Sequence, residues 1–150
     1  MPARKYVKTI RSSDGTGKTC SICCLMKPLS EFRKRSKSKD KLAHSCNVCH
    51  SSQNAKITRD LKIQVFKHYS GDVPECKCCK EKILVFLTID HINNDGAAHR
   101  KSGIASGSQM YYWLRRNQYP EGFQVLCWNC QHAKAVLDNC PHQTEREKML

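Results

Sequence analysis

Four Cys-x-x-Cys pairs constrain this chain more than any other feature: Cys20–Cys23, Cys46–Cys49, Cys76–Cys79 and Cys127–Cys130. That spacing lets two thiolates from one tight turn reach a single ion, and zinc prefers four such ligands in a tetrahedron at about 2.3 Å. Four pairs make two tetrathiolate sites and require two structural Zn2+. Loop-closure entropy rises only with the logarithm of loop length, so spacing alone leaves nested pairing open. Sequential pairing, Cys20/Cys23 with Cys46/Cys49 and Cys76/Cys79 with Cys127/Cys130, is preferred because its second loop encloses the pair Asp90-His91. Cys24, Cys78 and Cys140 remain, and read as ordinary reduced thiols, although Cys24 and Cys78 each adjoin a ligand they are able to replace.

Metal is expected because the chain cannot build much core. It has 150 residues, of which 39% are hydrophobic, and small apolar-poor domains need staples. A closed zinc site turns binding energy into folding energy. The basic start, MPARKYVKTI, has no apolar stretch behind it, so no signal peptide is expected. The longest apolar run, ILVFL at 83–87, is too short to span a bilayer. A cytoplasmic location with no membrane partner follows as the expectation, and there paired cysteines hold zinc rather than form disulfides.

Charge is lopsided. Residues 1–70 hold 16 Lys plus Arg against 4 Asp plus Glu, a balance of +12, whereas residues 71–150 balance at +1. Clustered positive charge with a pI near 9.4 is the footprint of a polyanion binder. The densest run, RKRSKSKDK, places Arg33, Lys34 and Arg35 as candidate phosphate contacts. His99, Arg100 and Lys101 are a second such group.

The order of segments is readable in outline. Residues 1–19 read as a basic arm. GTGKT at 15–19 is not a phosphate-binding loop, because Ser12 stands where the pattern needs glycine and no apolar strand precedes it. Residues 20–50 form a first zinc module, with Leu29 and Phe32 as its small core. Residues 51–70 read as a linking helix, with Ile57, Leu61, Val65 and Tyr69 on one face, Phe66 beside them, and Ser51 or Ser52 as its cap. Residues 71–139 hold the second zinc site. Within them 83–90 reads as a strand ending in Asp90-His91, SQMYYWLRRNQYP at 108–120 as a helix ending before Pro120, 123–126 as a second strand, and WNCQHAKAVLD as a final helix with Ala133, Val136 and Leu137 inward. Residues 140–150 read as a polar tail. The fold class expected is a small zinc-dependent α+β fold.

Strand, Asp90-His91, long loop, second strand, Cys127-x-x-Cys130 and helix, in that order, resemble the ββα-metal motif of HNH nucleases, also called the His-Me finger. The resemblance covers about residues 76–138 and is closest at TIDHINNDG and GFQVLCWNCQHAK. The flanking cysteine pairs match the zinc-stapled branch of that family. The leading module, CSICCLMKPLSEF followed by HSCNVC, is similar to zinc units that precede the motif in phage HNH proteins, free-standing homing endonucleases among them.

The resemblance implies a ββα-metal motif with one four-cysteine zinc site, preceded by a second four-cysteine zinc module. It implies a metal-dependent DNA endonuclease leaving 5′-phosphate and 3′-hydroxyl ends, in the host cytoplasm if phage-encoded. His91 matches the family's first histidine and is the expected general base; an imidazole with a pKa near ~6.5 suits that task. Asp90 is a hard oxygen ligand for a catalytic Mg2+, which Mn2+ can replace. Where the family carries His or Asn directly after the last knuckle, this chain has Gln131 and then His132, so Gln131 (or His132) is the second ligand. The family's middle Asn has no counterpart, Gly122 lying near its place, so either a backbone carbonyl orients His91 or the ring is held more loosely. DNA is the implied partner, with a homodimer required for a paired cut in one visit. Two other readings share the charge and the cysteines: a non-catalytic zinc-containing regulator that binds nucleic acid, and a zinc-stapled protein-interaction module of the RING or LIM kind.

Overall fold

The computed structural model describes residues 8–103 and 107–148. They form a small α+β fold of short strands and helices, divided into two compact units, Met1–Ile57 and Thr58–Leu150. Among the described residues no helix is long and apolar enough to cross a membrane.

The first unit is built around sulfur. Strand β1 (Gly17–Thr19) pairs antiparallel with β2 (Met26–Pro28), Gly17 opposite Pro28 and Thr19 opposite Met26. A 3-10 turn over Leu29–Glu31 follows. The buried hydrophobic residues here are Cys20, Phe32 and Cys46, with Cys23, Leu42 and Cys49 packed against them; Leu29 is half-buried. Lys18 is 2% exposed. Its ammonium donates to Asp40 Oδ2 at 2.6 Å and to the Ala43 carbonyl at 3.1 Å, and lies 5.3 Å from the Phe32 ring centroid.

The expected basic arm does not extend to residue 19. Its first seven residues lie outside the described ones, but from Ile10 onward the chain is tied down. The Thr19 amide donates to the Ile10 carbonyl at 2.8 Å and Arg11 bridges to Lys18. Asp14 organises the turn between them, taking bonds from the Ser12 hydroxyl at 2.5 Å and from the Thr16 amide and hydroxyl. Those bonds, Ser12 first, hold its carboxyl at about 2. Such local side-chain bonding makes a stable turn out of a Ser/Asp/Gly/Thr string that reads as flexible.

Helix α1 (Asn47–Ser70) starts four residues before the expected linking helix, so neither Ser51 nor Ser52 caps it. Its start puts Cys49 in the first turn. Its buried residues are Leu61, Val65 and Phe66. Ile57, expected on the same face, is 51% exposed; it is the last residue of the first unit, one turn before the core of the second begins.

In the second unit β3 (Leu87–His91) pairs antiparallel with β4 (Phe123–Cys127), Leu87 opposite Cys127 and His91 opposite Phe123. Between them come α2 (Gly96–Lys101) and α3 (Ser108–Arg116), and after β4 come α4 (Trp128–Leu137) and α5 (Pro141–Lys148). Leu87, Ile89, Leu114, Val125 and Leu126 join Leu61, Val65 and Phe66 in one core, to which five buried cysteines belong. Phe66 meets Tyr111 edge to face, with ring centroids 5.8 Å apart.

Three expectations are corrected here. The strand expected over 83–90 begins only at Leu87: Leu84–Phe86 form a 3-10 turn, and Ile83, Val85 and Phe86 are 55%, 69% and 48% exposed. The five residues of β4 pair only with 87–91, and the Glu81 carboxylate caps the Lys82 and Ile83 amides at 2.8 and 2.7 Å. The helix expected over 108–120 stops at Arg116, because Gln118 and Tyr119 adopt positive φ (57° and 56°) and the Tyr119 amide closes on Leu114. Val136 and Leu137, expected inward, are exposed. Lys134 already reaches Asp90 and His91, the end of β3, so the last turn of α4 has no strand beneath it.

Candidate functional site

The eight knuckle cysteines gather as sequential pairing expects. The sulfurs of Cys20, Cys23, Cys46 and Cys49 lie within 4.8 Å of one another, and so do those of Cys76, Cys79, Cys127 and Cys130. A tetrahedron with bonds of about 2.3 Å has sulfur–sulfur edges of about 3.8 Å; Cys79 and Cys127 are 3.6 Å apart. The donor sets therefore fit zinc, whose binding would brace each unit.

Backbone amides prepare these sulfurs for charge. Cys20 Sγ accepts from the Cys46 amide at 3.3 Å and the Ile22 amide at 3.4 Å. Burial works to raise the Cys20 thiol, but these bonds and one from Cys23 outweigh it and bring it down to about 6. Cys49 has the opposite fate, pushed up to about 12 by burial and by the neighbouring sulfurs. A divalent cation in the cluster would favour the thiolate form of all four sulfurs. In the second cluster Cys127 caps α4, its sulfur accepting from the Cys130 amide at 3.5 Å.

Two of the three remaining cysteines are not isolated thiols. Cys78 and Cys140 lie with Cys130 and His142 in a third group whose ligand atoms are all within 4.8 Å. Cys24 is exposed, with φ of 60°.

Asp90 and His91 close β3 beside α4. Asp90 is 5% exposed. Its Oδ2 accepts from the Lys134 ammonium and from Gln124 Nε2, each at 2.8 Å, and Lys134 also donates to the His91 carbonyl at 2.6 Å. The His91 ring is half-buried, edge-on to Phe123 at 4.8 Å between centroids. Its Nε2 stands 2.8 Å from His99 Nδ1, and His99 in turn packs on Trp113. Gly96 lies close against it: a Cβ there would come 3.1 Å from His91 Nδ1. Burial lowers the His91 pKa below its ordinary value; Asp95 and Asp90 oppose that, and His99 and Arg100 add to it. Burial thus favours the uncharged ring.

An open cleft of about 390 Å3 brings Asp90, His91, Asn94, Arg100, Gln131 and His132 together. Gln131 also donates weakly from Nε2 to the Ile89 carbonyl at 3.5 Å. Arg100 lines the cleft, Lys101 is exposed beside it, and His99 is bonded to His91 rather than facing solvent. Arg33, Lys34 and Arg35 are exposed in the first unit. Among the described residues no backbone carbonyl bonds the His91 ring; the Gly122 carbonyl, near the place of the missing Asn, accepts from the Ile92 amide at 2.9 Å. The orienting group is His99, which spacing could not reveal, because eight residues and a helix start separate it from His91.

Comparison of the chain with protein-family models, curated proteins and solved structures returned no match.

Proposed function

We propose that this chain is a metal-dependent DNA endonuclease of the HNH kind, hydrolysing phosphodiester bonds to leave 5′-phosphate and 3′-hydroxyl ends. The reading rests on one observation: a half-buried imidazole shares an open cleft with a carboxylate, an amide oxygen and a guanidinium. The chain's basic front half supplies the attraction for a polyanion.

His91 is the general base. Its Nε2 is engaged by His99 Nδ1 at 2.8 Å, so the base is assigned to Nδ1, which faces Gly96, where no side chain blocks a water. His99 is a positioning residue, holding the ring so that the lone pair stays in the cleft. Arg100 pairs with a phosphate oxygen and neutralises charge that develops there. Lys134 holds the β3 end in place through Asp90 and the His91 carbonyl.

Mg2+ commonly takes one or two carboxylates and leaves its other positions to water and substrate phosphate. Asp90 through Oδ1, with Gln131 or His132, would hold it. When bound, the ion supplies Lewis-acid polarisation of the phosphate and stabilisation of the leaving oxygen. The test is supercoiled plasmid with Mg2+ or Mn2+, comparing wild type and His91→Ala. General-base loss should slow nicking by about 100-fold or more, and ligation of the products should require no added kinase. Equal cutting by both proteins removes His91 from the mechanism.

A second reading, a non-catalytic zinc regulator that binds DNA, is favoured by the Lys134–Asp90 ion pair, because an ammonium already neutralises the carboxylate a metal would need. Salt-dependent DNA binding without cleavage in either metal selects that reading.

A further inference from the structure

The third sulfur group shares a ligand with the second. Cys130 belongs both to Cys76, Cys79, Cys127 and Cys130 and to Cys78, Cys130, Cys140 and His142. We propose that these seven residues hold two metal ions, with the Cys130 thiolate bridging them: one ion on Cys76, Cys79 and Cys127, the other on Cys78, Cys140 and His142. The chain then binds three zinc ions, one in the first unit and two in the second.

Distances favour coordination over casual packing. A tetrahedral zinc with sulfur and imidazole ligands places sulfur and nitrogen about 3.6 Å apart. His142 Nδ1 lies 3.4 Å from Cys130 Sγ and 3.4 Å from Cys140 Sγ. Cys78, Cys130 and Cys140 are all buried, while His142 closes the group from the exposed side. A thiolate sulfur has lone pairs for two metals, so sharing Cys130 breaks no valence rule.

Charge favours it as well. A tetrathiolate zinc carries a net −2. Six thiolates with two divalent ions also carry −2, so adding Cys78, Cys140, His142 and a second ion introduces no further buried charge. With one ion alone, the cluster of Cys78, Cys140 and His142 beside Cys130 would have no role in binding metal, although its ligand atoms already lie at mutual distances a metal requires.

The second ion also explains why α5 forms where it does. Its eight residues, PHQTEREK, contain no apolar side chain other than the proline that starts it. Such a helix has no hydrophobic face with which to dock, and isolated helices this short are unstable in water. Cys140 precedes it and His142 lies in its first turn. Two metal bonds flanking the helix start supply the anchorage that composition does not.

The experiment is metal counting on the full chain purified in zinc, by native mass spectrometry and elemental analysis. Wild type should carry three zinc ions. Cys140→Ser with His142→Ala should carry two and keep the ion on Cys76, Cys79 and Cys127. Exchange of wild type into 113Cd provides a reading that needs no variant: three resonances are expected, two of them mutually coupled through the shared sulfur. Two zinc ions per wild-type chain, or three uncoupled cadmium resonances, would overturn the proposal. None of these outcomes depends on whether the cleft cleaves DNA.

Discussion

His91 is held from three directions, by His99 on its Nε2, by Phe123 on its edge and by the closeness of Gly96 to its Nδ1. Two substitutions separate positioning from chemistry. If His91 is the base, as proposed, His99→Ala leaves it in place but unanchored, and misplacement on the scale of an ångström costs about 100-fold in rate. DNA affinity should stay near wild type while single-turnover cleavage falls by that order. Gly96→Ala sets a methyl against Nδ1 at contact tighter than normal packing; the expected outcome is slower cleavage with an unchanged circular-dichroism spectrum and melting temperature within a few degrees. In the first unit the critical pair is Lys18 and Asp40. The Lys18 hydrogen bond holds the Asp40 carboxyl below its ordinary value of 3.8. The unfolded chain therefore takes up that proton first as pH falls, so the pair's contribution is complete above the ordinary value and is lost on acidification through and below it. Asp40→Ala leaves the buried ammonium with the Ala43 carbonyl and the Phe32 ring but no counter-charge, at a cost of about 2–3 kcal/mol. Thermal melts between about pH 6 and pH 3 should show the wild-type advantage shrinking toward the acid end.

At the scale of elements, what could be read from the residues was whatever local spacing encodes. The four knuckles themselves, the β3 end carrying Asp90-His91 and the helix following Cys130 all rest on neighbours within a few residues, whereas which knuckle joins which was settled only by the fold. The misread segments depended on length and on partners elsewhere. Ile83, Val85 and Phe86 have strand propensity, yet β4 offers only five residues to pair with. Val136 and Leu137 keep a helical hydrophobic spacing with no sheet left to cover. His142 and Cys140 sit in a stretch whose polarity suggested a bare tail, and only the fold brings them to Cys130. The α3–β4 connection shows the same dependence, since its reversal needs Gly122 at φ of +95°. A Gly122→Ala variant should lose about 1 kcal/mol or more, since an L side chain is strained there, which a urea midpoint measurement will register. Leu114, fully buried on α3, sets the upper scale: Leu114→Ala should cost about 2–5 kcal/mol.

Across the whole molecule, charge and the cleft lie in different parts of the chain. Of the net +13, residues 1–57 carry +10, and the catalytic candidates all lie beyond residue 57. Binding and cleavage should therefore respond to different changes. If about six phosphates are neutralised, log K should fall with log salt at a slope near −5. Replacing Arg33, Lys34 and Arg35 together by Gln should reduce that slope by about 2.7, leaving cleavage at saturating DNA unchanged; filter binding across a salt series measures it. A slope insensitive to the triple change places the phosphate contacts elsewhere. The enclosure of Lys18 has a consequence of another kind. Its amine sits against Asp40, Ala43 and the Phe32 ring, out of reach of an acylating reagent, whereas its many neighbouring lysines stand in water. Mass-spectrometric timing of acetylation at that one amine would thus report how often the first unit opens, without any probe having to be introduced.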